Sequence, residues 1–415
     1  MKRIFLRAGF AASLMLGAVA LASPAAYAAP KQPPMSSSVN RALATAQKAF
    51  AKKDYQAALA AIQEAQKVSD PTPFDQLMTN RFMMQVQVAL NNFDAADVAA
   101  EAAADADPAV IPDDQKEAVY KPALQLAMNS KHYDKALKYA NALEALNTPL
   151  DAAFQTLIMQ AHYFGGDVAG ATAMAQKNID AAKAAGKTPA RNDLDMLMNA
   201  QVKAKNEEGA ENTLEQLVQY YNDPADWQQM ISVSYGIKGI RDVDALYLGR
   251  LMFLIEPKPP ANDASVVGSV ANRLGFYGDA VKAEQAGGSG FPSPDANAQK
   301  DKASIAAQIA AGQKQNGIYN IKLAEALYGY GMFAQAQAAA ELAQTKGGVT
   351  DPTEIPMVLA MSLAAQDKYQ DALDQFAKVT GGGPATPRIV RLWTYYVKSK
   401  MAPPATAAAA PAPAQ

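Results

Sequence analysis

No cysteine occurs anywhere in the 415 residues, which excludes disulfides, thiolate metal sites and a lipid-modified N-terminal cysteine. Histidine is nearly as scarce: there are two, His132 and His162, and neither lies in an HExxH or comparable ligand spacing. A zinc or general-base centre therefore has little to draw on. Positive charge is not in excess either. Lys and Arg number 38 against 40 Asp and Glu, for a formal net charge of −2, which argues against a nucleic-acid partner. Long apolar runs are also missing. The run from Ala8 to Ala22 has 15 residues, short of the ~20 that span a bilayer, and no later stretch reaches that length without charges. No integral membrane segment is expected in the mature chain.

What stands at the start is a leader. Lys2, Arg3 and Arg7 precede the apolar run, and Ala26-Tyr27-Ala28 forms a small-x-small cleavage site, the pattern of a secretory signal peptide over residues 1–28. The pair Lys2-Arg3 has lysine where a twin-arginine signal has its first arginine, so the general secretory route is expected. Removing Lys2, Arg3 and Arg7 takes the formal charge from −2 to −5. The expectation is an exported, periplasmic protein cleaved after Ala28, with no lipobox.

A periodic phrase organises the remainder. An aromatic followed three residues later by alanine occurs at Tyr55 and Ala58, Phe93 and Ala96, Tyr133 and Ala136, Tyr277 and Ala280, Phe333 and Ala336, and Tyr369 and Ala372. Weaker copies stand at Val168 and Ala171, Glu207 and Ala210, and Val243 and Leu246. Successive markers are 38, 40, 35, 39, 36, 34, 56 and 36 residues apart. Periods of this size mark arrays in which each unit buries its apolar face against the next.

The stretches "KKDYQAALAAIQEA", "NNFDAADVAAEAA", "GFYGDAVKAEQA", "GMFAQAQAAAELA" and "DKYQDALDQFAKV" each put an aromatic at the opening of a second helix and a small residue one turn on. In this the chain resembles the tetratricopeptide repeat family. The family's small position in the first helix falls on Ala46, Gly268, Ala324 and Ala360, but on Met84, Leu124 and Met159 elsewhere. The resemblance implies an all-α, right-handed α-solenoid of about nine helix-turn-helix repeats with a C-terminal capping helix. Small residues at the crossings let helices approach to ~8–10 Å.

The repeats are drawn at 39–72, 77–110, 117–150, 152–185, 191–224, 227–260, 261–294, 317–350 and 353–386. Prolines punctuate them: Asp70-Pro71, Ile111-Pro112, Thr148-Pro149, Thr188-Pro189, Asp223-Pro224, Pro260 and Asp351-Pro352 recur with the period. Asp or Thr there is expected to cap the next first helix, with Pro in its first turn. Pro122 falls inside a first helix and should kink or shorten it. The predicted order is leader 1–28, flexible segment 29–38, repeats one to seven over 39–294, an insertion with an extra helix or hinge at 295–316, repeats eight and nine over 317–386, a capping helix at 387–400 and a disordered Ala/Pro-rich tail at 401–415. Gly287, Gly288, Gly290, Pro292 and Pro294 mark the expected break in the array.

No catalytic constellation emerges. Acidic pairs at Asp105 and Asp107, Asp193 and Asp195, and Asp242 and Asp244 lack the glycine-bearing loop that calcium needs. "AGGSGFPSP" and "YGYGMF" lack the Lys-Ser or Lys-Thr of a phosphate loop. Met78, Met83, Met84, Met196 and Met198 sit at core spacing rather than in a copper site. No cofactor, metal or catalytic residue is assigned, and an enzyme is not expected.

A tetratricopeptide array implies a concave groove of first helices that holds a peptide or a partner helix. The family's carboxylate-gripping positions carry Leu43, Gln47, Phe82, Ala118 and Pro122 here, so chaperone-tail binding is not expected. Groove candidates are the amides Gln85, Gln160, Asn199, Gln229 and Asn272, which ordinary solvated helix surface also accommodates, and the aromatics Tyr220, Tyr221 and Tyr395. The leading expectation is a periplasmic protein–protein scaffold for envelope assembly or secretion. The alternative is an accessory subunit of exopolysaccharide or cell-wall machinery that contacts glycan.

Overall fold

A computed structural model describes residues 33–401. The leader at 1–28, residues 29–32 and the tail after Met401 lie outside the described residues. Among the described residues the chain is all-α, with twenty helices, one short 3-10 turn and no strand. It divides into two compact units, the first ending at Asn206 and the second beginning at Glu207.

In the first unit α1 (Ser37–Ala51) pairs with α2 (Tyr55–Gln66), α3 (Pro73–Ala89) with α4 (Phe93–Ala104), α5 (Lys116–Asn129) with α6 (Tyr133–Ala145), and α7 (Ala152–Phe164) with α8 (Val168–Ala184); α9 (Arg191–Lys203) follows. The second unit opens with α10 (Glu207–Tyr221). It continues through α11 (Pro224–Tyr235) and α12 (Asp242–Ile255), α13 (Ala261–Leu274) and α14 (Tyr277–Gln285), a lone α15 (Asp295–Gly312), α16 (Gly317–Gly329) and α17 (Phe333–Lys346), α18 (Glu354–Ala364) and α19 (Tyr369–Phe376), and α20 (Thr386–Met401). Within each unit consecutive helices pack on one another, as a solenoid of helical repeats requires.

The periodic aromatic is the first residue of a second helix: α2, α4, α6, α14, α17 and α19 begin on Tyr55, Phe93, Tyr133, Tyr277, Phe333 and Tyr369. The reason lies two residues earlier. Lys53, Asn91, Lys131, Gly166, Lys205, Gly275, Gly331 and Asp367 all have positive φ, and each stands two positions before a marker. A left-handed residue ends the first helix and lets the next amide donate back five residues, as Asp54 N does to Ala49 O (3.0 Å) and His132 N to Ala127 O (2.8 Å). Phe276 N to Ala271 O (2.8 Å) and Lys368 N to Leu363 O (3.0 Å) repeat the geometry. The chain then re-enters a helix within two residues, which fixes the antiparallel pair.

Packing follows from the same register. The marker alanines Ala58, Ala96, Ala136, Ala171, Ala210, Ala280, Ala336 and Ala372 are all buried, and Leu246 takes that position in α12. The aromatic beside them is only half-buried, and Phe93 is 43% exposed. It lies along the turn rather than inside the pair; Tyr133 stacks on Phe164 at 5.0 Å between ring centroids. Alanine sets the helix separation and the ring seals its open end.

In the second unit α12 breaks the pattern. Residues Asp244 to Phe253 are buried in an unbroken run, so this helix is enclosed on all sides. Its turn also differs: Gly239 takes the positive φ and Arg241 caps the helix. α20 packs on α19, as a cap should, and also on α10 and α12. Ile389, Leu392 and Trp393 are fully buried, and Trp393 Nε1 donates to Tyr247 O at 3.1 Å.

Some local expectations are corrected. Asp223 and Pro224 start α11 as expected, with Asp223 accepting from Ala225 N at 2.9 Å. At Asp70-Pro71, however, the cap is Thr72 with Pro73 in the first turn, and Asp151 rather than Thr148 caps α7. Helix α5 runs through Pro122 without a break, losing the one hydrogen bond that residue's missing N–H would have made. The division of the chain falls after Asn206, not at the glycines near 287–294. That segment is tied to α13, because Asn272 Nδ2 donates to Pro292 O (2.7 Å) and Ser289 N to Ser265 Oγ (2.9 Å).

Candidate functional site

In the first unit the first helices lie side by side, α1 against α3, α5 against α7 and α7 against α9. Helical spacing brings Met78, Phe82, Gln85 and Ala89 into one half-buried stripe along α3. The Gln85 amide makes no hydrogen bond among the described residues. Lysines on neighbouring first helices lie over aromatic faces: Lys121, which also pairs with Glu117, over Phe154 (4.6 Å), and Lys203 over Tyr163 (4.7 Å). Asn199 is half-buried, its Nδ2 donating to Asp195 O (2.8 Å), and Val202 one turn on is 46% exposed. Gln160 is only 7% exposed and faces inward.

Both histidines are engaged by carboxylates, His132 at an exposed turn and His162 in the interior. His132 Nδ1 lies 2.7 Å from Asp97 Oδ2. His162 is buried, with Nδ1 at 2.7 Å from Asp167 and Nε2 at 2.9 Å from Glu144. The Asp167 carboxyl is held below the usual carboxylate range by the Gly170 N–H and then by His162. With Glu101 on Lys135 (2.6 Å) and Asp105 on Lys138 (2.7 Å), Asp97 and His132 make a polar ladder between α4 and α6. Among the described residues no group of three or more His, Asp or Glu is placed to hold a metal ion. The methionines Met84, Met196 and Met198 are buried core.

In the second unit Gln229 and Asn272 are half-buried on α11 and α13, and Tyr220 and Tyr221 end α10 half-buried. Tyr395 donates to Glu215 Oε1 (3.3 Å) within a larger cluster. There Arg391 grips Glu215 through Nε (2.5 Å) and Nη2 (2.9 Å), and Arg388 reaches Glu211 (2.9 Å). These pairs fasten α20 to α10.

Two further arginines were not singled out by sequence reasoning. Arg241 binds Asp244 through Nε and Nη2 (2.8 Å each), Asp351 through Nη1 (2.5 Å), and the hydroxyls of Thr353 (3.2 Å) and Thr386 (3.1 Å). It joins the starts of α12, α18 and α20. Arg250, two turns along α12, binds Asp279 through Nε (3.1 Å) and Nη2 (2.7 Å), and Glu325 through Nη1; Tyr247 OH also donates to Glu325 (2.7 Å). Burial drives the Glu325 carboxyl up, against the opposing pull of Arg250 and Tyr247. The available signal was one arginine in "ALYLGRLMFLI", a charge that an all-apolar helix can hold only if paired.

Beside Arg250 the second unit contains a cavity of about 240 Å³. Phe253 and Leu254 of α12, Lys282 of α14, Tyr328 of α16 and the turn through Tyr330 to Phe333 line it. Desolvation holds the Lys282 ammonium below the usual lysine range.

The fold and these surfaces define a protein of stacked helix-turn-helix repeats. No family model matches the sequence, and neither does any curated protein. Among solved structures the chain is similar to "Structure of Naa15/Naa10 bound to HypK-THB", with TM-score 0.27 and 12% identity over 83% of this chain and 69% of that one. It is also similar to the P58(IPK) TPR domain, with TM-score 0.23 and 11% identity over 88% of this chain and 98% of that one. At these values the likeness assigns neither activity nor partner. No helix among the described residues is long and apolar enough to cross a membrane.

Proposed function

We propose that this chain is a non-enzymatic scaffold that binds a peptide or helix of a protein partner on the first helices of its first unit. The observation that carries the reading is the contiguous row α5–α7–α9, with the α3 stripe of Met78, Phe82 and Gln85 in the same unit. Half-buried apolar groups with an unengaged amide suit an amphipathic segment, whose apolar side chains fill the stripe while its backbone meets Gln85. The site of action is the periplasm, in envelope assembly or secretion. Support for that is the basic, apolar and small-residue order of residues 1–28.

Crosslinking in cells followed by affinity capture, run beside binding of the purified chain to cell-wall glycan and exopolysaccharide, tests the reading. Discrete protein adducts that are lost on Phe82→Asp are expected. Glycan binding without protein adducts would replace the scaffold with a carbohydrate-associated role.

A further inference from the structure

The cavity beside Arg250 has a lopsided chemistry. Both oxygens of Asp279 are taken by the Arg250 guanidinium, and Glu325 is fully buried and held by Arg250 and Tyr247. The Lys282 ammonium makes no hydrogen bond or ion pair among the described residues; it sits over the Phe253 ring at 4.7 Å. Tyr328 is 6% exposed, lies against the Arg250 guanidinium at 4.5 Å, and its hydroxyl has no protein partner among the described residues. The nearby Tyr330 hydroxyl, by contrast, is spent on Asp301 (3.1 Å). The Lys282 ammonium and the Tyr328 hydroxyl are thus unspent donors at a cavity whose one lining carboxylate, Asp279, is paired with Arg250, between the aromatic walls of Phe253, Tyr328 and Phe333.

We infer that this cavity is a binding site for a small organic monocarboxylate with an aromatic or branched apolar body. The carboxylate takes Lys282 and the Tyr328 hydroxyl as donors, and the body lies between the rings. Size sets one limit, since about 240 Å³ is below the ~300–1,000 Å³ of sites for drug-sized ligands. Charge sets the other. Arg250 and Lys282 together balance Asp279 and Glu325, so a bound monocarboxylate leaves one negative charge to be held by hydrogen bonds alone, whereas a dianion would leave two.

Titrating phenylpropionate into the full chain, followed by ligand-observed NMR and calorimetry, tests the site. Saturable one-to-one binding is expected, weakened by at least about tenfold in Lys282→Gln, because a charge-assisted hydrogen bond is lost. Tyr328→Phe keeps the ring under Arg250 and should weaken binding less. Phenylpropanamide, with the same body and no charge, should not saturate. Lys282 stands at the cavity rim, so its variant keeps the fold and decides the matter if Tyr328→Phe does not. No saturation by phenylpropionate, equal binding by the amide, or unchanged binding in Lys282→Gln would overturn the assignment.

Discussion

Arg250 and Asp279 meet in the interior of the second unit through two parallel hydrogen bonds of 3.1 and 2.7 Å, and the same guanidinium also holds Glu325 from α16. One cation thereby serves two buried carboxylates from α14 and α16. Arg250→Met should destabilise the second unit by about 3–5 kcal/mol, since both buried acids then lose their counter-charge and Glu325 keeps only the Tyr247 hydroxyl. Adding Asp279→Asn and Glu325→Gln to it should recover part of that loss. Urea unfolding of the parent and the two variants measures both effects, and a loss under ~1 kcal/mol for the single change would show that water reaches the acids.

The repeat register makes a prediction at its alanines. Ala372→Asp places an unpaired carboxylate where the side chain is fully buried, and about 3–5 kcal/mol of stability should be lost. Ala338→Asp, on an exposed face of α17, should change stability by no more than ~0.5 kcal/mol. Thermal melts of the pair compare them, and equal midpoints would contradict the register.

Two glycines separate conformation from contact. Gly275 has φ 78° and open space around it, so Gly275→Ala should lose ~1–2 kcal/mol through the left-handed backbone alone. Gly278 is helical, and a Cβ there would stand 2.6 Å from the Gly329 carbonyl carbon and 2.7 Å from Tyr330 N. Gly278→Ala should therefore lose about 1–3 kcal/mol by overpacking, despite alanine's better helix propensity. A crystal structure of Gly278→Ala with α14 and α16 undisplaced would refute the second mechanism.

Acid should loosen the start of the first unit. Burial works to raise the Asp75 carboxyl, but the N–H groups of Ser36 (2.9 Å) and Thr72 (3.0 Å) outweigh it and hold the carboxyl below the usual range. A depressed folded-state value means that this stabilisation is complete above the unfolded carboxylate range, ~3.9, and is lost as pH falls through the lower folded value. Asp75→Asn should cost about 1–3 kcal/mol at neutral pH and flatten the acid limb of the stability curve. An acid limb identical to that of the parent would exclude this role.

The repeats were legible because they are local. Tyr55 and Ala58, Tyr133 and Ala136, and Phe333 and Ala336 each report one turn and one crossing, and both lie within a few residues of the marker. What escaped depends on distant partners. Arg241 finds Asp351 and Thr386 at separations of 110 and 145 residues, and nothing near Arg250 in sequence announces Glu325, 75 residues on. The break after Asn206 lies in "KAKNEEGAEN", which has no proline and one glycine, whereas the glycine-rich 287–294 segment looks like a linker but is held by Ser265 and Asn272. Among the candidate groove residues, the inward turn of Gln160 and the tie of Tyr395 to Glu215 are set by tertiary packing that helical spacing alone does not encode.

The most direct test of the scaffold reading is a positional one. A photo-crosslinking residue placed at Gln85 or Asn199, on first helices, is compared in cells with one at Gln56, exposed on the second helix α2. The reading predicts the same discrete protein adduct from Gln85 and Asn199 and none from Gln56. Adducts of equal yield from Gln56, or none from either first-helix position, would contradict it.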